Sequence, residues 1–368
     1  LRVVKTSATQ GRSNGLRGRI ARFCYGILKE IAIPDRGIVW LPFAVRAGIR
    51  AIRKDPEIKA IFSTSPLFTN HIVAATLKLF TGLPWIADIR DFHYIENIEN
   101  SDYRLRKPVD RLLETMIMNK ADKTVFISET MRNYYLTRYN LASDKTHAVY
   151  NGFEPTEFEP HTSLPDTTPL TIFYAGSFYM GERSPMPLLS ALENLIQRDI
   201  IKTQDIRIVI AGNMEGFLLD EMKRLNIFTS IAFLGAIARK KVLELMNNSH
   251  LLWLIIGEGI MHKAGFPIKG YEYLGARRTI LGFVPHGTEA EKMLLSLGSG
   301  VIMEQCTSPV DIEKNTATLI KLVERYRDGA LNDPLTIDIK KLKTYTRESQ
   351  AEEIAAIANE ICHRENIM

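Results

Sequence analysis

The chain has 368 residues, 45% hydrophobic and 24% charged, with a formal net charge of +5. That length fits two domains of roughly 100–200 residues each, and the composition excludes a disordered, collagen-like or coiled-coil chain. No apolar run approaches the ~20 residues of a membrane-spanning helix. Cys24, Cys306 and Cys362 are too few and too scattered for a disulfide framework or a structural zinc site, so a reducing, cytoplasmic location is expected.

Short apolar, β-branched runs predict strands at Ala60–Ser63, Trp85–Asp88, Thr124–Ser128, Ala148–Tyr150, Thr171–Ala175, Arg207–Ala211, Ile231–Leu234, Leu251–Ile256, Thr279–Gly282 and Gly300–Met303. Helical periodicity lies between them, at Ala44–Lys54, Thr69–Phe80, Arg106–Met118, Pro187–Arg198, Gly216–Leu225, Arg239–Asn247 and Ile268–Ala276, and a long amphipathic segment, Ser349–Ile367, closes the chain. Strands alternating with helices of this length specify parallel sheets covered on both faces. The stretch Phe153–Pro169, with Pro155, Pro160, Pro165 and Pro169, reads as a linker. The expected fold class is therefore α/β, with two Rossmann-like, doubly wound domains facing across a cleft. They span residues 1–160 and 161–345, and a C-terminal helix over 346–368 packs back towards the first domain. In such sheets ligands bind at the carboxyl ends of the strands.

Three strand ends carry chemistry in the second half. Tyr174-Ala175-Gly176-Ser177 closes one strand, with Arg183 six residues beyond Ser177, and Ala211-Gly212-Asn213 closes the next. Glycine and serine let a ligand approach the backbone, and Arg183 suits a phosphate. The string Ala264-Gly265-Phe266-Pro267-Ile268-Lys269-Gly270-Tyr271-Glu272 opens a helix. Its free N–H groups and Lys269 suit a phosphate, and Glu272 suits a ribose diol. The same residues also suit a solvated loop–helix junction, but three such ends converge on one sheet rim. In the first half, Asp88-Ile89-Arg90-Asp91 follows a strand, fit either to bind sugar hydroxyls and stabilise charge or to close the strand end as an ion pair. Ser65, in Ser63-Thr64-Ser65-Pro66, ends another strand. The histidines show no metal-ligand spacing, and no Walker A or dinucleotide glycine pattern is present.

Charge is unevenly spread. Residues 1–54 hold twelve Lys/Arg against Glu30 and Asp35, a local +10 that leaves −5 for the remainder. Leu16, Ile20, Phe23 and Tyr25 interleave with this basic run, a composition that suits an anionic membrane surface. Aromatics for stacking bases are few, so nucleic acid is not expected as a partner. A solvated charged face is the plain alternative.

Further strings extend these: Pro34-Asp35 with Trp40-Leu41-Pro42, Thr81-Gly82-Leu83-Pro84-Trp85, Ala121-Asp122 with Ser128-Glu129, Asn151-Gly152-Phe153-Glu154 and Phe233-Leu234-Gly235. In order and spacing, from about Pro34 to Arg327, the chain resembles bacterial glycosyltransferases of the GT-B fold, close to glycosyltransferase family 4. That resemblance implies transfer of a sugar from a nucleotide-sugar donor to a cell-envelope glycan or glycolipid, with retention at the anomeric carbon. It implies no metal and no cofactor beyond the nucleotide-sugar co-substrate. The donor then binds through Gly176, Ser177, Arg183, Gly265, Phe266, Pro267, Lys269 and Glu272, where Glu272 matches the second acid of the family's Glu–seven residues–Glu motif. The acceptor binds at Ser65, Asp88 and Asp91, and Asp88, Arg90 and Asp91 form the catalytic set.

Two departures stand out. The motif's first acid is replaced by Ala264, and nothing before Arg36 matches the strand and Gly-rich loop that open the family's first domain. With Leu1 at the start, the expectation is a chain truncated at its N-terminus. Two other readings stay open: a non-catalytic sugar-nucleotide-binding or scaffold protein, and a nucleotide-sugar epimerase of the same fold. On the membrane reading of the basic first 54 residues, the expected location is cytoplasmic and peripheral at the inner face of the plasma membrane.

Overall fold

The computed structural model describes residues 33–92, 106–158, 169–178, 183–214, 216–331 and 337–364. The chain divides into two compact units. The first takes the described residues up to Val125, with Arg138–Thr146 and the chain end from Ile361; the second takes Phe126–Thr137 and His147–Glu360.

The first sheet contains β1 (Ile61–Thr64), β2 (Trp85–Ile89), β3 (Lys123–Phe126) and β4 (Thr146–Ala148), in chain order. β1 and β2 are parallel, with Thr64 opposite Asp88. Helix α1 (Leu41–Lys54) packs on α2 (Thr69–Thr81), where a Cβ on Gly48 would stand 2.8 Å from Leu77. Asp35 ties their starts together by accepting from the Thr69 N–H at 2.9 Å, the Thr69 hydroxyl at 2.7 Å and the Gly37 N–H at 2.7 Å. Helices α3 (Arg106–Lys120) and α4 (Glu129–Tyr139) follow β2 and β3.

The second sheet has six strands: β5 (Leu170–Ala175), β6 (Ile206–Ala211), β7 (Ile231–Phe233), β8 (Leu251–Ile255), β9 (Thr279–Phe283) and β10 (Gly300–Met303). All neighbours are parallel, in the order β10-β9-β8-β5-β6-β7. The order therefore reverses between β5 and β8, which is the topological switch point of a doubly wound sheet, where ligands bind. Both faces are buried. Ile172 and Tyr174 of β5 enter one core with α5 (Met186–Gln197), α6 (Gly216–Met222) and α11 (Pro309–Arg327). Phe173 enters the other, with α7 (Arg239–Asn247), α9 (Ile268–Ala276) and α10 (Glu289–Leu297). Short α8 (Ile260–Lys263) precedes α9, and α12 (Ile339–Leu342) precedes the final α13 (Arg347–Arg364).

All ten predicted strands are present, with ends shifted by at most two residues. Three longer helices escaped the periodicity reading. In α4 only Met131 and Tyr135 are buried, so its apolar stripe is thin. The first turn of α11 is capped by Ser308 and holds no buried apolar residue. α10 starts at the Thr288 cap and ends at Gly298, whose φ is +62°. The stretch from Phe153, read as a linker, is packed up to Phe158: both phenylalanines are buried, and each lies against Gly275 of α9, where any Cβ would stand 2.7 Å from their rings. Residues 159–168 lie outside the described set, as do the basic residues before Ile33.

Candidate functional site

The rim at the switch point is built from backbone fitted to backbone. β5 ends at Gly176, whose N–H donates to Ala211 O at 2.9 Å. Gly212, with φ +153°, lies so close that a Cβ there would stand 1.8 Å from Gly176 O. Beyond it, the Phe178 N–H donates to Asn213 O at 3.2 Å, and the Tyr174 hydroxyl donates to Ser177 O at 3.1 Å. The Tyr174 and Phe178 rings stack with centroids 4.3 Å apart, and Trp253 of β8 lies 5.2 Å from Tyr174. Tyr273 of α9 crosses to this strand, its hydroxyl oxygen accepting from the Ala175 N–H at 2.9 Å. These contacts fix α9 against the end of β5.

Lys269, in the first turn of α9, is half-buried as a residue, but its Nζ is fully enclosed. That ammonium lies 4.3 Å from the centre of the Tyr174 ring and has no hydrogen-bond partner among the described residues. A methyl on Gly176 would stand 3.2 Å from it. Burial, with the nearby Arg183 charge adding to it, pulls the Lys269 amine down from 10.5 to about 7. Pro267 caps α9 without a side-chain bond, and its first turn carries no acid. Enclosed amine, guanidinium, glycine-rich backbone and open helix N-terminus together have the chemistry to hold an anion.

Glu272, one turn further along α9, is mostly buried and forms an ion pair with Arg239 at the start of α7. Arg239 also reaches Glu157 at 2.5 Å, and the two carboxylates together hold its guanidinium charged more firmly than usual. Phe266 is 4% exposed and packs beneath Gly270 and Tyr271, so its ring supports the rim from below. Ala264 is buried, and its carbonyl accepts from the Ser128 hydroxyl. Gly265 and Pro267 carry the chain from there into α9.

In the first unit, Asp88 is 3% exposed. Its Oδ2 takes Arg90 Nε at 2.7 Å and the Thr64 hydroxyl at 2.8 Å; its Oδ1 is buried and has no hydrogen-bond partner among the described residues. Ser65 accepts from the Arg90 N–H at 2.6 Å and donates its own N–H to Asp88 O at 3.0 Å. Ser65, Asp88 and Arg90 thus form one network that closes the strand end as an ion pair. Asp91 follows it, its carboxyl pushed up by partial burial.

The structure brings Gly176, Ser177, Arg183, Lys269 and Glu272 to one rim of the second unit, and Ser65, Asp88, Arg90 and Asp91 to one strand end of the first. Sequence reading missed Arg239, Tyr174 and Tyr273. The repeated aromatics in Tyr271-Glu272-Tyr273 were a signal that α9 buries one face; no local signal paired Arg239 with Glu272. Among the described residues, no group of three or more His, Cys, Asp or Glu could hold a metal ion.

Comparison with known proteins agrees with this architecture. No curated protein sequence matches the chain. A glycosyltransferase from Rickettsia africae shares 14% identity and a TM-score of 0.64, over 87% of this chain and 81% of that one. Anabaena HepE, solved in complex with UDP, gives 12%, 0.60, 86% and 82%. A UDP-forming α,α-trehalose-phosphate synthase from Burkholderia vietnamiensis gives 12%, 0.60, 89% and 78%. Residues 9–157 match the model of Glycosyltransferase Family 4, and the chain as a whole has the α/β fold of the GT-B glycosyltransferases.

Proposed function

We propose that the protein is a retaining glycosyltransferase that uses a nucleotide-sugar donor without a metal ion. The observation that carries this reading is the enclosed Lys269 Nζ at the switch point of the second sheet, with no hydrogen-bond partner among the described residues and Arg183 close enough to lower its pKa. In this reading the donor diphosphate lies against Lys269, Arg183, the Gly176–Ser177 backbone and the open turn of α9 at Gly265–Pro267. These positive groups offset the charge that develops on the leaving diphosphate. Glu272 holds the ribose, aimed by Arg239. The acceptor is assigned to Ser65, Asp88 and Asp91 of the first unit, where Asp88 Oδ1 offers a buried acceptor for a sugar hydroxyl and Arg90 fixes its carboxylate. The C1–O bond to the diphosphate breaks and a C1–O bond to the acceptor oxygen forms on the same face. The hydroxyl proton leaves with the diphosphate.

A panel of UDP-, GDP- and dTDP-sugars, assayed for hydrolysis and transfer in the presence of chelator, tests the reading. Lys269→Ala and Glu272→Ala should each lower kcat/KM by about 10- to 100-fold, the range for losing a hydrogen bond to a charged group. Activity untouched by both changes contradicts the assignment. The buried Ala264, standing where the family motif has an acid, favours a second reading as a non-catalytic binder. Donor binding without turnover across the whole panel would select it.

The acceptor class proposed is a cell-envelope glycan or glycolipid, reached from a membrane surface. No helix among the described residues is long and apolar enough to cross a membrane. α1, however, is an open amphipathic surface: Trp40 and Phe43 are 52% and 73% exposed, beside an open groove of about 820 Å³ that carries Arg46, Arg50, Arg53 and Lys54. Each basic group near an anionic bilayer contributes on the order of 1 kcal/mol. Neutralising these four to glutamine should therefore weaken flotation with phosphatidylglycerol vesicles by two to three orders of magnitude. Unchanged flotation removes α1 from the membrane contact.

A further inference from the structure

Lys269 presents an unusual energetic problem in the ligand-free protein. An ammonium carries three donors, and none of them finds an acceptor among the described residues. The Tyr174 ring at 4.3 Å offers a cation–π contact, which returns part of what the lost water gave. Removing an ammonium from water costs more than one such contact returns, and Arg183 adds a like charge. Desolvation and repulsion outweigh the ring, so near neutral pH the amine gives up its proton. Tyr174 faces it from β5, and Arg183 is the charge that acts on it from beyond the β5 loop. Of the other titratable groups of α9, Glu272 is paired with Arg239, and Tyr273 accepts from the Ala175 N–H.

We propose that the second unit takes up its phosphate ligand together with one proton, which is carried by Lys269. A phosphate oxygen entering between Gly176 and the first turn of α9 supplies the acceptors and the opposite charge that the amine lacks, so the bound state holds an ammonium. This rests on the reading of the rim as a diphosphate site, and it adds a linkage: affinity depends on how readily solution provides the proton. A group that titrates at about 7 in the free protein is about nine-tenths neutral at pH 8, so binding there takes up nearly one proton, and affinity falls about tenfold per pH unit above that. Below pH 6 the amine is already charged and uptake vanishes.

Calorimetric titration of the full chain at pH 8, in Tris and in HEPES, reads this directly, because the buffers release their protons with different enthalpies. The probes are UDP and inorganic pyrophosphate. For wild type the expected uptake with UDP, whose phosphates hold no titrating proton at pH 8, is most of one proton per ligand. Lys269→Arg, whose guanidinium stays charged, should bind with no uptake and lose the pH slope. Wild-type binding with no uptake, or equal uptake in Lys269→Arg, overturns the proposal. If Lys269→Arg does not fold, the slope of wild-type affinity between pH 7.5 and 9 decides alone: a flat profile refutes the linkage. Uptake with pyrophosphate and no binding of any nucleoside diphosphate would keep the linkage and refute the nucleotide-sugar reading. Failure of both ligands to bind refutes both.

Discussion

Replacing Lys269 with methionine is expected to stabilise the ligand-free protein while lowering its affinity for nucleoside diphosphates. The amine is enclosed with no hydrogen-bond partner among the described residues, and its fall from 10.5 to about 7 corresponds to a burden of several kcal/mol at about 1.4 kcal/mol per pH unit. Because the folded-state value lies below the unfolded one, the unfolded chain binds the extra proton between these limits. Stability of the unliganded wild type should therefore rise with pH above 7. Methionine keeps the length and the contact with Tyr174 and needs no acceptor. A gain of roughly 2 kcal/mol at pH 7 corresponds to a melting point about 4–8 °C higher for a unit of this size, read by thermal unfolding across pH 6–9, with the wild-type pH slope flattened. Binding of UDP should fall by about 10- to 100-fold. A structural lysine would show the opposite pattern, with lost stability and retained binding.

Replacing Gly212 with alanine should have the largest destabilising effect at the site. Its Cβ would stand 1.8 Å from Gly176 O and 2.4 Å from that carbonyl carbon, on a backbone with φ +153°. These neighbours are main chain held in a parallel ladder, where the Gly176 N–H donates to Ala211 O at 2.9 Å, so they cannot swing aside as a flexible side chain would. Overpacking and strain together cost about 3 kcal/mol or more, a melting point lower by about 6–12 °C. The change also pushes Gly176 away from Lys269, so any folded variant should bind diphosphate weakly. A melting point within 2 °C of wild type would show that the two strand ends are not in contact.

Much of this site could be read from residue order. Apolar β-branched runs mark strands that are buried on both faces, and Gly176, Gly212 and the Pro267–Glu272 turn each follow such a run, so a parallel sheet necessarily carries them to one rim. The electrostatic relations were not legible, because they depend on packing across the sheet. Arg239 meets Glu272 from 33 residues away, and Tyr273 reaches the Ala175 N–H across 98. The neutral tendency of Lys269 arises from its burial, with the nearby Arg183 charge adding to it, which no spacing rule reports. Prolines between Phe153 and Pro169 suggested a linker, yet Phe153 and Phe158 are held by the space that Gly275 leaves on α9. At Asp88, the sequence allowed either a sugar-binding carboxylate or an ion pair; the structure forms the pair and leaves Oδ1 with no partner among the described residues.

Hydrogen–deuterium exchange of the full chain, with and without saturating UDP, locates the ligand without relying on turnover. Slowed exchange is expected at Gly176–Phe178 and Gly265–Glu272, with the Leu41–Lys54 helix unchanged. Protection confined to other segments, with these two unaffected while UDP is bound, would contradict it.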